Sequence, residues 1–116
     1  MYHWEKVAHR FIKMLMKHVK AWIFNEPVQP EKLGINDYFD IIHNPMDFST
    51  IEKKLKHHEY PQMQHFLQDV ELVFSNCYHY NGEQSPVGLM CKEVQDEYNK
   101  LCEQLSVGFY LTETDA

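Results

Sequence analysis

Glycine and proline, the residues that most often break regular secondary structure, are few in this chain and lie close together. The 116 residues include four glycines and five prolines, and all but one of these nine fall within residues 27–61 and 82–88. The other segments are long and uninterrupted, which favours a few long helices over many short strands. A chain of this length suits one domain with a substantial core. The sequence therefore predicts a single all-α domain.

Four segments have apolar residues at alternating spacings of three and four, which is typical of amphipathic helices. In the first segment this stripe includes Trp4, Phe11 and Met14. The second and fourth segments each follow a residue that commonly caps a helix, and the third follows a proline. Together they predict a helical bundle. The expected helices are residues 3–20, a short helix capped by Asp47, a helix from Pro61 to Asn81, and a helix from Ser85 to near Gly108.

The stretch between the first two helices, residues 21–45, has no helical periodicity but many apolar residues. Connections longer than about 12–15 residues are uncommon in compact domains and are usually functional, so this stretch indicates a binding site. We expect one short helical turn within it, at residues 38–42. If the first and third helices are parallel, the stretch lies beside the connection that follows Asn81. The Asn81 amide would then line an apolar pocket suited to a neutral amide or carbonyl group.

Charge and cysteine content exclude several classes of protein. Eleven Lys and Arg against 17 Asp and Glu give a net charge of -6, and no basic cluster suggests nucleic-acid binding. No segment approaches 18 uninterrupted apolar residues, so we expect neither a membrane span nor a secretion signal. Cys77, Cys91 and Cys102 form an odd set without disulfide spacing, which indicates a reducing compartment. We interpret all three cysteines as small core residues.

Four motifs, in this order and at this spacing, resemble those of a bromodomain. They are Trp22-Ile23-Phe24, Tyr38-Phe39-Asp40-Ile41-Ile42, Asn44-Pro45-Met46-Asp47 and Cys77-Tyr78-His79-Tyr80-Asn81. The resemblance covers roughly residues 4–106. It implies a left-handed four-helix bundle with helices Z, A, B and C. In that fold, the long ZA loop and the short BC loop form a pocket for acetylated lysine.

The resemblance also implies a cellular context. The chain is expected to bind N-acetyl-lysine on a histone tail or another acetylated protein, as a monomeric domain of a larger chromatin-associated protein in the nucleus. No cofactor, metal ion, membrane or direct nucleic-acid contact is expected. The expected domain is residues 1–108, followed by a C-terminal tail at residues 109–116.

Matching the motifs residue by residue assigns roles within the expected pocket. Asn81 resembles the asparagine that donates to the acetyl carbonyl, and Tyr38 resembles the tyrosine that reaches the same oxygen through an ordered water. Phe24 matches the aromatic residue beside the acetyl methyl group, Val87 matches the gatekeeper, and Trp22 matches the shelf at the entrance. The other expected pocket residues are Val28, Leu33 and Ile35 in the ZA loop and Cys77 and Tyr80 on helix B.

Two positions depart from the pattern of the family. Ile23 stands where the usual Trp-Pro-Phe shelf has proline, and Asn36 stands where many relatives have proline before Asp-Tyr. Each missing proline removes a fixed φ angle, so the loop is expected to be less pre-organised. The long loop and the Cys-Tyr-x-Tyr-Asn motif resemble the BET-type subfamily, although both departures count against that assignment.

The same residues also allow other interpretations. Asn81-Gly82 alone resembles an ordinary helix C-terminus, and Tyr38 alone a half-buried core residue. Cys77 and His79 are two residues apart and hence on different helix faces, which argues against a metal pair. No cysteine lies at a helix start beside basic residues, so an enzyme is not expected. The alternative function is a helical interaction module that binds an unmodified partner segment.

Overall fold

The computed structural model describes residues 2–105, which form helices and contain no strand. None of these helices is both long and apolar enough to span a membrane. The expected all-α fold is therefore confirmed. In chain order the elements are α1 (His3–Met16), a 3-10 turn (Ala21–Ile23), α2 (Pro30–Leu33), α3 (Tyr38–Ile41), α4 (Phe48–Lys56), α5 (Met63–Asn81) and α6 (Pro86–Gln104).

The four longest helices, α1, α4, α5 and α6, pack around one hydrophobic core and correspond to the four expected helices. Phe11 of α1 meets Phe66 of α5 and Tyr98 of α6 edge-on, with ring centroids 5.8 and 5.5 Å apart. Phe74 of α5 also lies 5.5 Å from Tyr98. Such aromatic pairs contribute about 0.5–1.5 kcal/mol each beyond the area they bury, so this cluster joins three helices.

The first helix is shorter than expected, because α1 ends at Met16 and residues 17–20 form turns. Its buried stripe also differs from the expected one. Met14 is 41% exposed, whereas Ile12 is fully buried beside Ala8 and Leu15. At about 100° per residue, Met14 lies roughly a third of a turn from the centre of that buried stripe.

Two further details of the helices were not expected from the sequence. Pro61 precedes α5 rather than beginning it, because Gln62 occupies the N-cap position and the helix begins at Met63. The four-residue α2 runs from Pro30 to Leu33, and Gly34 follows it as a left-handed C-cap with a φ of 70°. A helix this short has too few residues to show periodicity. The expected limits at residue 108 and the tail lie outside the described residues.

The expected caps of α4 and α6 are both confirmed. The Asp47 carboxylate accepts hydrogen bonds from the Thr50 N–H at 3.0 Å and from the Thr50 and Ser49 hydroxyls at 2.6 Å each. The Ser85 hydroxyl accepts from the Gly88 N–H at 2.9 Å. Each cap satisfies a backbone donor that the helix itself leaves free, and thereby sets where the helix begins.

The long connection (residues 17–47) is bonded to the bundle rather than free of it. The Phe48 N–H donates to the Phe24 carbonyl at 2.8 Å, and the Asn76 amide donates to the Asn44 carbonyl at 2.8 Å. The first bond joins the long connection to the start of α4. The second places the long connection near the C-terminal end of α5. The short connection (residues 82–85) follows directly from that end, so both lie at the same end of the bundle, as expected.

Candidate binding site

A cavity of about 450 Å³ lies between the long connection, the C-terminal half of α5 and the start of α6. All ten residues that the sequence assigned to a pocket line it. Nine further residues complete the lining, and most of them come from the same long connection. These are Ile23, Glu26, Pro27, Gln29, Lys32, Met46, Asp47, Val73 and Asn76.

Asn81 presents its side-chain amide at the wall of this cavity, in the last turn of α5. Its Nδ2 donates to the Cys77 carbonyl at 3.0 Å and approaches the Cys77 sulfur at 3.7 Å. Only the NH2 end of an amide can face a carbonyl favourably, so this contact determines which way the amide points. The bond to the carbonyl uses one of the two N–H groups of this amide, and the other has at most the long contact with the sulfur. The site thus contains an oriented polar group before any ligand binds.

Tyr38 lies opposite, at the start of α3, and is only 6% exposed. Burial raises the pKa of its phenol, and the nearby Cys77 raises it further. The phenol is therefore neutral and a hydrogen-bond donor at physiological pH. Within residues 2–105 its hydroxyl has no hydrogen-bond partner, whereas its ring packs at 5.0 Å against the Tyr80 ring.

Tyr80 connects the end of α5 to the long connection. Its hydroxyl donates to the Asp37 carboxylate at 2.6 Å, and this hydrogen bond raises the pKa of the Tyr80 phenol. Asp37 immediately precedes Tyr38, so the bond helps to hold the start of α3 near Asn81. Tyr80, which directly precedes Asn81 in the chain, thereby helps to position Tyr38.

Phe24 forms the aromatic back of the cavity. It is 7% exposed and meets Phe48 and Phe74 edge-on, with centroids 5.9 and 6.3 Å apart. Phe48 and Phe74 are 6.2 Å from each other, so the three rings form a closed cluster. These contacts join the long connection to α4 and α5, so the back wall of the cavity is part of the hydrophobic core.

The mouth of the cavity is lined by large apolar side chains that remain exposed. Trp22 is 67% exposed and Leu33 is 64% exposed. Val28, Ile35 and Val87 are partly buried between the mouth and the interior. An exposed tryptophan beside a cavity provides a flat apolar surface for residues that flank a bound side chain.

Asn76 is the main site residue that the sequence reasoning missed. It is 9% exposed, and its amide holds the Asn44 carbonyl, so it fixes the end of the long connection. Val73 lies on the same face of α5 and also lines the cavity. The signal was present in the sequence, because residues 73, 76 or 77, and 80 follow the three-to-four spacing of one helix face.

The cysteines are mostly where the sequence placed them. Cys77 and Cys91 are buried as expected, but Cys102 is only partly buried and lies at the edge of the core. His79 is exposed on the opposite face of α5 from Cys77, as the spacing predicted. Among the described residues, no group of three or more His, Cys, Asp or Glu could hold a metal ion.

Comparisons with known proteins agree with the motifs. The family model for the bromodomain matches residues 9–93. The "SWR1 complex bromodomain subunit bdf1" of Schizosaccharomyces pombe is 43% identical over 101 residues, which cover 87% of this chain and 18% of that protein. "Bromodomain-containing protein C631.02" of the same organism is 41% identical over 100 residues, covering 86% and 14%. The chain thus spans less than a fifth of the length of these relatives.

Proposed function

This chain belongs to the bromodomain family, and we propose that it binds N-acetyl-lysine through the ten predicted pocket residues. The observation that supports this most directly is the Asn81 amide, held by the Cys77 carbonyl at the wall of a largely apolar cavity. Its remaining N–H would donate to the acetyl carbonyl, and the Tyr38 hydroxyl would reach the same oxygen through a water. Since the family consists of binding modules, we propose no catalytic role.

Selectivity for acetylated over free lysine follows from desolvation. A lysine ammonium would lose its hydration in the cavity, which costs several kcal/mol unless a carboxylate compensates. Asp47 does line the cavity, but its carboxylate already accepts three hydrogen bonds from Ser49 and Thr50. Glu26 is exposed, so water screens it. Acetylation removes the charge and supplies the carbonyl that Asn81 can bind.

The strength of binding is expected to be moderate. A neutral hydrogen bond contributes about 0.5–1.5 kcal/mol, and each buried methylene about 0.8 kcal/mol. Micromolar affinity needs about 8 kcal/mol, so one acetyl-lysine side chain alone falls short. We propose that flanking peptide residues supply further contacts on Trp22 and Leu33, the exposed apolar residues at the mouth.

Histone tails are the proposed source of the acetylated lysine, and the nucleus the proposed location. The net charge of -6 suits a basic peptide, and Glu26, Glu31, Asp37 and Asp40 belong to the long connection beside the cavity. These acids would accelerate the encounter with a basic tail, and the effect would weaken as salt rises. One relative is named as a subunit of the SWR1 complex, so we propose that this chain also acts within a larger chromatin-associated protein.

The direct test is a panel of histone-tail peptides, each acetylated or unmodified, titrated against wild type and Asn81→Ala. We expect only acetylated peptides to bind wild type, and the substitution to weaken them at least about tenfold, because the ligand carbonyl loses its donor. Asn99→Ala is the matched control, since Asn99 is an exposed asparagine of α6 away from the cavity.

Two outcomes would overturn the proposal. Equal binding of acetylated and unmodified peptides would instead favour a helical interaction module for an unmodified segment. Unchanged affinity of Asn81→Ala for acetylated peptides would show that Asn81 does not bind the acetyl group. Thermal unfolding of both variants shows whether any loss of binding reflects loss of the fold.

A further inference from the structure

Two buried cysteines face each other across the contact between α5 and α6. The Cys77 sulfur lies 3.9 Å from the Val87 carbonyl of α6, one helical turn before Cys91. The Cys91 sulfur lies 3.9 Å from the Phe74 carbonyl of α5, about one turn before Cys77. Each thiol therefore packs on the backbone of the other helix, beside the turn that carries the other thiol.

The two helices approach each other closely here, because each sulfur lies 3.9 Å from a backbone carbonyl of the other helix. The start of α6 also packs tightly on the short connection that follows α5, because a Cβ added at Gly88 would lie 2.1 Å from the Gly82 carbonyl. Gly88 and Cys91 are three residues apart and share a helix face. A disulfide requires Cα atoms about 4.4–6.8 Å apart, and only closely packed helices bring two cysteines within that range.

The two thiols are not equivalent in access or in chemistry. Cys77 lines the cavity, whereas Cys91 is fully buried behind it. The neighbouring Cys91 thiol lowers the pKa of the Cys77 thiol, and the Asn81 amide lowers it further. The same pairing, together with burial, raises the pKa of Cys91. Cys77 is thus the accessible thiol with greater thiolate character, and Cys91 the thiol that keeps its proton.

We propose that Cys77 and Cys91 are a peroxide-reactive pair that closes reversibly into a disulfide, and that closure weakens ligand binding in the adjacent cavity. The second half of this inference rests on the proposed acetyl-lysine function, but the first half does not. The oxidant is a small hydroperoxide such as hydrogen peroxide, which the cavity is large enough to admit.

The reaction balances in two steps. The Cys77 thiolate attacks one peroxide oxygen, the O–O bond breaks, and Cys77 sulfenic acid forms as hydroxide leaves. The Cys91 sulfur then attacks the Cys77 sulfur, the S–O bond breaks, and the Cys91 proton neutralises the departing hydroxide equivalent. Overall, two thiols lose two electrons to one peroxide, giving a disulfide and two waters.

Closure acts on the binding site through Cys77. Its carbonyl and its sulfur both contact the Asn81 amide, at 3.0 and 3.7 Å. Shortening the distance between the two sulfurs to about 2.05 Å draws Cys77 towards α6. Because the Cys77 carbonyl orients the Asn81 amide, a shift of Cys77 also changes the direction in which that amide faces the cavity.

The test oxidises the reduced 116-residue chain with hydrogen peroxide and maps its cysteines by peptide mass spectrometry. We expect a linked pair of peptides carrying Cys77 and Cys91, a mass loss of two hydrogens, and complete reversal by dithiothreitol. Oxidation should also weaken binding of an acetylated peptide at least about tenfold, with recovery on reduction.

Two variants separate this response from general oxidation. Cys91→Ala should still bind the acetylated peptide but form no intramolecular disulfide. Its Cys77 should instead be oxidised irreversibly to sulfinic and sulfonic acid. Cys102→Ala should respond like wild type, because burial raises the pKa of Cys102 to about 11 and Cys102 does not line the cavity.

Each result decides one part of the inference. Sulfinic acid at Cys77 in the wild type, or disulfides that involve Cys102 instead, would overturn the pair. A 77–91 disulfide that leaves peptide affinity unchanged would overturn its effect on binding. If the reduced chain bound no acetylated peptide, the proposed function would fail, yet mass spectrometry would still decide whether the pair reacts.

Discussion

Two buried tyrosines, Tyr38 and Tyr60, differ in what their hydroxyl groups bond to. The Tyr60 hydroxyl donates to the Asp69 carboxylate at 2.6 Å, whereas the Tyr38 hydroxyl has no partner within residues 2–105. Burial raises the pKa of both phenols, so both are neutral donors. One hydroxyl is used by the fold, and the other faces a cavity. Water in the cavity can accept the hydrogen bond of the Tyr38 hydroxyl, so the fold does not depend on that group.

Tyr38→Phe and Tyr60→Phe should therefore have opposite effects on stability and binding. Removing the Tyr38 hydroxyl should weaken acetyl-lysine binding about two- to tenfold while leaving the free energy of unfolding unchanged or higher. Removing the Tyr60 hydroxyl should lower that free energy by about 1.5–3 kcal/mol, because a bond to a charged group is lost, and should leave affinity unchanged. Urea unfolding and peptide titration of both variants measure the two effects. Equal loss of affinity in both would contradict the assignment.

The start of α6 shows how one element positions the site. Its first turn is capped by Ser85 and packs so closely on the short connection that only glycine fits at position 88. This contact holds Val87, at the edge of the cavity, next to the end of α5 that carries Asn81. The position of Val87 relative to Asn81 thus depends on the backbone contact between Gly88 and Gly82.

Gly88→Ala should destabilise the protein, although alanine forms helices more readily than glycine by about 1 kcal/mol. The new methyl group would lie 2.1 Å from the Gly82 carbonyl, so α6 must move away from the short connection. Overpacking of this kind typically costs about 1–3 kcal/mol, which exceeds the gain in helix propensity. Leu89→Ala, at an exposed position of the same turn, is the control. An increase in melting temperature for Gly88→Ala would refute the close contact.

At the scale of the whole molecule, the cavity lies at one end of the bundle, and a contact between distant parts of the chain holds the other end together. At the end away from the cavity, the buried Glu5 accepts a hydrogen bond from the Tyr2 N–H at 2.8 Å and pairs with His58 at 2.8 Å. His58 follows α4 and has a φ of 55°, so the chain adopts an uncommon conformation there. The Glu5 contact joins the start of α1 to a turn 53 residues later in the chain.

This contact predicts a pH dependence of stability. The hydrogen bond with His58, followed by that with the Tyr2 N–H, lowers the pKa of Glu5 below its ordinary value of 4.5. A lowered folded-state pKa means that the contribution of Glu5 is fully present above pH 4.5 and is lost as pH falls through the lower value. The difference in unfolding free energy between wild type and Glu5→Gln should therefore narrow below pH 4.5. Urea unfolding across that range measures it.

The exposed Glu93 of α6 provides the control for this experiment. Glu93→Gln should follow the wild-type pH dependence, because the structure gives Glu93 no hydrogen bond among the described side chains. A difference between wild type and Glu5→Gln that stays constant from pH 7 to pH 3 would show that Glu5 contributes no charge-dependent stability.

Local patterns in the sequence determined the helices and much of the site. Apolar spacing located α4, α5 and α6, and the caps at Asp47 and Ser85 marked where two of them begin. The apolar but irregular long connection and the motif ending in Asn81 indicated a pocket, and all ten residues assigned to it line one cavity. The helices and their caps are encoded within a few residues of each other, so periodicity and turn chemistry suffice to read them, whereas the ten pocket residues were assigned from the resemblance to a bromodomain.

Tertiary structure alone decided which residues from distant parts of the chain meet. Neighbouring residues do not reveal that Glu5 pairs with His58, that Asn76 holds Asn44, or that Cys77 and Cys91 pack across α5 and α6. The burial of Ile12 rather than Met14 was likewise decided by the helices that pack on α1. Periodicity specifies that a helix has a buried face, but the neighbouring helices determine where that face is centred and what each of its side chains contacts.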